Sequence, residues 1–186
     1  TRDLTGTATV MPTAPDVIIT EVYGGGGNSG ATLKNDFIEL YNTTESPVNI
    51  SGWSVQYYSA TGDGKSTNVT VMAQGSIIPP KSHFLIQQAA GSGGTVDLFE
   101  PDAIGTIAMS GTGAKVILYT TNVDQTITDD ITSISGNSNF KDYVPYGAST
   151  PVWGSAMAAT TNSTSATRKK SSGIYVYTQN IGNDFE

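Results

Sequence analysis

The chain has 186 residues, a formal net charge of −7, a pI near 4.5 and only 13% charged residues. So thinly acidic a surface repels nucleic-acid phosphates and argues against a nucleic-acid binder, because affinity there comes from Lys and Arg neutralising charge. There are no cysteines, which excludes disulfide staples and thiolate chemistry, and no run of about 20 apolar residues is present to span a bilayer.

At this length the chain is read as one domain with its own core. It carries 21 glycines, about a quarter of it is Ser or Thr, and helix-favouring residues are scarce. That composition predicts many short strands joined by turns. The first segment, residues 1–15 (TRDLTGTATVMPTAP), alternates Leu4, Gly6, Ala8 and Val10 with Thr5, Thr7 and Thr9, a period-2 strand pattern. Met11-Pro12 and Ala14-Pro15 break it, since proline offers no ladder donor and restricts its predecessor. The expectation is an extended arm or linker, able to act as a donated strand through Leu4, Ala8 and Val10, ahead of a sandwich over residues 16–186. A start at Thr1 with no leader fits a processed or trimmed chain.

Strands are predicted over 17–23 and 36–42, separated by the polar, glycine-rich loop GGGGNSGATLKN. A turn at 43–47 leads to SGWSVQYYSATG, where Trp53, Val55 and Tyr57 share one face and Ser54, Gln56 and Tyr58 the other. Strands follow at 68–72 and, after Ile77-Ile78-Pro79-Pro80, at 83–87. Residues 89–104 read as a loop. Residues 105–110 and 115–120 read as a hairpin about Gly111-Thr112-Gly113. Short strands are expected at 126–133 and 143–146, an irregular stretch at 147–164, and closing strands at 165–169 and 174–177. No amphipathic helix exceeds two turns, so the fold class is all-β, a sandwich.

Several segments, in order, carry a family likeness: EVYGGGG with NDFIELYN, SGWSVQYYSATG, IPPKSHFLIQQ, PDAIGTIAMSGTGAKVILY, VPYGAS and SATRK. Together they resemble the lamin-tail domain, an immunoglobulin-like β-sandwich module of bacterial secreted and surface proteins. The signature positions are Glu21, Tyr23, Gly24, Asn35, Asp36, Phe37, Glu39 and Trp53. The resemblance implies a non-catalytic domain. Where relatives carry an acidic turn before a final Asp-Phe, this chain reads Tyr177-Thr178-Gln179-Asn180-Ile181 and keeps only Asp184-Phe185. It also has Val152-Trp153-Gly154 where relatives have Phe-Glu-Gly. Both departures put in doubt any cation held there.

The candidate chemistry is sparse. The Gly24–27 run lacks a following helix and a lysine, so it is read as a flexible hairpin loop and contact surface rather than a phosphate cradle. His83, the only histidine, has no nucleophile motif beside it and reads as a partly exposed strand end. Glu21 and Glu39 sit on neighbouring strands, where a hydrogen-bonding or loop-ordering role is favoured over paired-carboxylate hydrolysis. No cofactor is expected. The weak calcium candidates are Asp63, Asp124, Asp129, Asp130 and Asp184, none spaced like a calcium-binding loop. Arg168-Lys169-Lys170 reads as a solvated strand end. Tyr57/Tyr58 and Tyr175/Tyr177 read as exposed aromatics for carbohydrate or protein contact, or for cross-strand pairing. Four N-x-S/T triplets, at Asn42, Asn49, Asn68 and Asn162, are about as many as eleven asparagines in this composition give by chance.

The leading expectation is an extracellular or cell-surface structural or adhesive module. It would act through protein–protein contacts and self-assemble head-to-tail into a fibre through residues 1–15. The alternative, from the resemblance, is an accessory binding domain of a larger secreted nuclease or phosphoesterase, with polysaccharide or nucleic acid as ligand. No membrane span is expected.

Overall fold

The computed structural model describes residues 12–66 and 68–186. In chain order the elements are β1 (Val17–Tyr23), β2 (Asn35–Asn42), β3 (Val48–Asn49), β4 (Ser54–Ser59), β5 (Gly64–Lys65), β6 (Asn68–Val71), β7 (Ile77–Ile78) and β8 (His83–Ala90). They continue with β9 (Ala103–Ile104), β10 (Ala114–Tyr119), β11 (Thr126–Ile127), α1 (Ile131–Ser135), β12 (Phe140–Tyr146), β13 (Ala166–Thr167), β14 (Lys170–Ser171), β15 (Ile174–Tyr175) and α2 (Ile181–Asp184). A five-stranded sheet, β13-β1-β2-β8-β9, faces a four-stranded sheet, β12-β10-β4-β6. Short ribbons pair β11 with β5, β14 with β15, and β3 with β7.

The period-2 pattern explains why these residues form a sandwich. Val17, Ile19, Val22, Ile38 and Leu40 of one sheet meet Val55, Val116, Leu118 and Val144 of the other in a single buried cluster. Each such side chain contributes roughly 1.5–3 kcal/mol of transfer free energy on burial. A second cluster on the outer face of the four-stranded sheet gathers Tyr58, Ile117, Tyr119, Ile127, Ile134 and Tyr143 under the 120–135 segment. Both faces of β4 are therefore covered. Ser54, Gln56 and Tyr58, on the face opposite Val55, are buried, and they bond the carbonyls of Thr121, Val123 and Gln125 at 2.6–2.9 Å.

Three expectations are corrected. Residues 105–110 do not pair with 115–120. They run beside β8, with Ala89 N–H on Ile107 O at 3.1 Å. Gly105 N–H donates to Gln87 O at 2.8 Å, and side chains take two further donors: Ile107 N–H on Gln88 Oε1 at 3.1 Å and Met109 N–H on Asp36 Oδ2 at 2.8 Å. The chain crosses to the other sheet at Gly111–113, and burial of Ile107 and Met109 in the core drives this course. Within 126–133 only Thr126–Ile127 is strand. Asp130 caps the N–H groups of Thr132 and Ser133 and starts α1 instead. The glycine run 24–27 is buried rather than a flexible contact loop. A Cβ on Gly24 would overlap the Ser110 carbonyl, and one on Gly26 would overlap the backbone of Asn35 and Asp36. Leu4, Ala8 and Val10 lie outside the described residues.

Candidate interaction surface

The two sides of the sandwich end differently. At the β1 side a register shift falls between Ile19 and Glu21, and β13 pairs with β1 only at Glu21 and Val22. Below that point Ile19, paired with Leu40 of β2 on one side, has no strand on the other. Asp142 Oδ2 accepts the Ile19 N–H at 2.8 Å, and Arg168 Nε donates to Ile19 O at 2.9 Å. Arg168 Nη2 in turn donates to Asp142 Oδ2 at 2.7 Å, with both side chains 1% exposed. Its Nη1 donates to Val176 O at 3.1 Å and lies 3.6 Å from Asp184 Oδ2. The guanidinium also packs 4.3 Å from the Phe185 ring centroid and 5.3 Å from that of Tyr177. An ion pair thus replaces the missing strand. Burial raises the Asp142 pKa, opposed by the Arg168 charge and by the Ile19 and Tyr143 N–H groups.

These contacts correct two expectations. Arg168 is not a solvated strand end, and Tyr177, like Tyr58, is buried rather than exposed. The outer rim of β13 is closed as well, since Thr167 and Glu186 exchange backbone hydrogen bonds at 2.9 Å.

The far side is open. Met72 N–H donates to Trp53 O at 2.8 Å. Antiparallel bonding alternates residue by residue, so Thr70 bonds toward β4 while Val69 and Val71 aim their N–H and C=O groups outward. Those groups have no partner among the described residues. The same alternation, carried across β4 and β10, puts Pro145 at an outward position of β12, opposite Lys115. Proline blunts that edge because it offers no donor. β6 has no such device. Thr70 Oγ1 donates to Gln88 Oε1 at 3.0 Å, and Gly105 abuts both, which brings the rims of β6 and β9 together. Val71, Ile104 and Phe99 are exposed here at 45%, 73% and 82%.

The signature residues Glu21, Tyr23, Phe37 and Glu39 lie on the outer face of the five-stranded sheet, opposite Val22, Ile38 and Leu40. Glu21 and Glu39 lie on neighbouring strands and are direct cross-strand partners, a register set by the shift after Ile19. Ser165 Oγ donates to Glu21 Oε1 at 2.6 Å. Thr20 Oγ1 at 2.6 Å and His83 Nδ1 at 2.8 Å both reach Glu39 Oε1. Burial raises the Glu21 pKa, partly offset by Ser165. Burial also acts to raise Glu39, but His83 and Thr20 outweigh it and the net shift is downward. His83 is an exposed strand-end residue, its ring tilted against that of Tyr41 with centroids 4.8 Å apart. Tyr23 and Phe37 pair at 5.5 Å. Asn35 Nδ2 donates to Gln88 O at 2.9 Å, and Trp53 packs on the core with Lys141 Nζ 5.1 Å from its ring.

Asp36 is the hinge of this hairpin. Its Oδ1 accepts Gly26 N–H and its Oδ2 accepts Met109 N–H, both at 2.8 Å. Burial nonetheless pushes its pKa up to about 6, with the two N–H bonds opposing. A carboxyl raised above its unfolded value stabilises the fold fully below the unfolded pKa and loses that contribution as pH climbs through the folded one. The Asp36 contribution is therefore expected to fall between about pH 4 and pH 6. Carbonyl-detected NMR should show the Asp36 carboxyl titrating near 6. A midpoint at the ordinary aspartate value would contradict the burial assigned to it.

Among the calcium candidates, Asp130 is the α1 cap, and Asp184 accepts the Thr178 N–H and O–H at 2.9 and 2.6 Å beside Arg168. Asp129 Oδ2 accepts from Thr150 at 3.3 Å, and Asp124 Oδ1 is buried with no hydrogen-bond partner. Asp63 is exposed. Among the described residues no three His, Cys, Asp or Glu side chains converge as metal ligands. No helix there is long and apolar enough to cross a membrane.

A family model described as Lamin Tail Domain matches residues 11–135. No curated protein matches the chain. A solved structure of a DUF4876 family protein from Bacteroides thetaiotaomicron is similar in fold. It has 15% identity and a TM-score of 0.58, and the match covers 94% of this chain and 71% of that one.

Proposed function

Because the chain belongs to the lamin tail domain family, we propose that this β-sandwich is a non-catalytic module that works outside the cell and engages protein by strand addition. The observation that carries this reading is the asymmetry of its rims. One side is closed by Arg168, Asp142, Pro145 and the C-terminal residues, while β6 offers Val69 and Val71 unpaired beside exposed Ile104. An edge with unsatisfied N–H and C=O groups is a template for another strand. Glu21 and Glu39 are each held by neighbouring hydroxyl or imidazole groups, which supports an ordering role over a catalytic one.

The strand that fits is the first segment of a second copy, where Leu4, Ala8 and Val10 alternate with threonines. Its period-2 pattern suits pairing along a rim. A contact from the start of one copy to the β6 rim of the next is head-to-tail and does not close, so it yields a fibre. Val69→Pro tests this, because proline removes only an outward donor and leaves the ladder to β4 intact. Expected is loss of assembly by light scattering with a near-unchanged thermal transition, while Val69→Ala still assembles. Assembly of folded Val69→Pro at the wild-type level would contradict strand addition at this rim.

A further inference from the structure

The fold separates the four N-x-S/T triplets. Asn42 is fully buried, and its Nδ2 donates to the carbonyls of Ser46, Ile78 and Pro79 at 2.7–3.0 Å. Asn162 ties two loops, with Nδ2 on Ser29 O at 3.0 Å and Oδ1 accepting from Asn28 at 3.2 Å. Asn68 opens β6, its backbone N–H on Ser66 Oγ at 2.9 Å. Asn49 is different. It is exposed at the end of β3, and its Oδ1 accepts the Ser51 N–H at 2.9 Å in an Asx turn. That bond holds the side-chain carbonyl against the backbone, and Nδ2 has no acceptor among the described residues. Ser51 Oγ accepts the Gly75 N–H at 2.9 Å and keeps its own O–H to donate. The neighbouring Ile50 is fully buried and anchors the turn.

We propose that Asn49 is a site of N-linked glycosylation on the folded chain, with a lipid-phosphate-linked oligosaccharide as donor. Asn49 Nδ2 attacks the anomeric carbon and a C–N bond forms. The anomeric C–O bond breaks, and the lipid phosphate leaves with its electrons. One Nδ2 proton passes to a base of the transferase. The proposal rests on the extracellular reading, because such transfer meets exported proteins. The attached glycan would sit near Met72, just past the Val71 end of β6, since Gly52 N–H donates to Met72 O at 3.1 Å.

The test incubates purified, folded protein with a single-subunit oligosaccharyltransferase and a lipid-linked oligosaccharide, followed by peptide mass mapping. Expected is modification of the Asn49 peptide, none at Asn42 or Asn162, and loss of the product in Asn49→Asp, whose carboxylate preserves the turn. An unmodified folded chain, or modification at Asn42 or Asn162 ahead of Asn49, overturns the proposal. So does a bare Asn49 in protein recovered from outside its natural cells. Recovery only from inside the cells would overturn the extracellular reading instead.

Discussion

Replacing Arg168 by methionine is expected to cost about 3–5 kcal/mol of folding stability, the penalty for leaving a buried charge uncompensated. The substitution keeps most of the volume and the packing on Phe185, so the loss isolates the guanidinium. Three groups are stranded together: the Asp142 carboxylate, the Ile19 carbonyl and the Val176 carbonyl. The double change Arg168→Met with Asp142→Leu removes the orphan charge. It leaves the Ile19 and Tyr143 N–H groups without their acceptor instead, about 1–3 kcal/mol each. The double variant should therefore be about as destabilised as Arg168→Met alone, not worse by the full cost of a second substitution. Urea unfolding of the three proteins decides it, and a single-variant loss below about 1 kcal/mol, the scale of an exposed pair, would contradict the sealed rim.

Gly26→Ala is the second large effect. Its backbone passes so close to Asn35 and Asp36 that an added methyl has no room without moving the hairpin. That movement also pulls the Gly26 N–H off Asp36, whose other oxygen holds Met109. A loss of about 3 kcal/mol, the upper end of overpacking costs, is expected. Gly30→Ala, four residues on, is the control: its φ of +81° favours glycine, but open space surrounds it. A left-handed alanine there costs about 1–2 kcal/mol. Thermal unfolding of both variants checks the ranking, and equal losses would mean that the glycine run is not a packed crossing.

Much of the fold is legible in the sequence because alternating apolar residues specify it locally. The strands near 36–42 and 83–87 follow from alternating burial, and those near 17–23 and 115–120 from short continuous apolar runs. The Glu21–Glu39 register depends on the shift after Ile19, which the pattern does not encode. Pro145, inside a strand pattern, already points to an edge. The ion network does not announce itself. Asp142 and Arg168 are 26 residues apart, and only the fold brings them to one unpaired stretch of β1. Read locally, Arg168 is one of three consecutive basic residues, which suggests solvent. The glycine run misleads for a similar reason: flexibility and close packing both demand glycine, and the tertiary contact decides between them. Residues 105–110 mislead because the Ile107 and Met109 N–H groups go to side chains, Gln88 and Asp36, which strand patterns do not encode.

Particle size decides whether copies of this module join through the first segment of one and the open rim of the next. Light scattering with negative-stain imaging should compare the full chain with one lacking residues 1–12. The full chain is predicted to form filaments far larger than 19.4 kDa, and the shortened chain to remain a folded monomer of near that mass. A monomeric full chain, or filaments that survive the deletion, would contradict joining by this route.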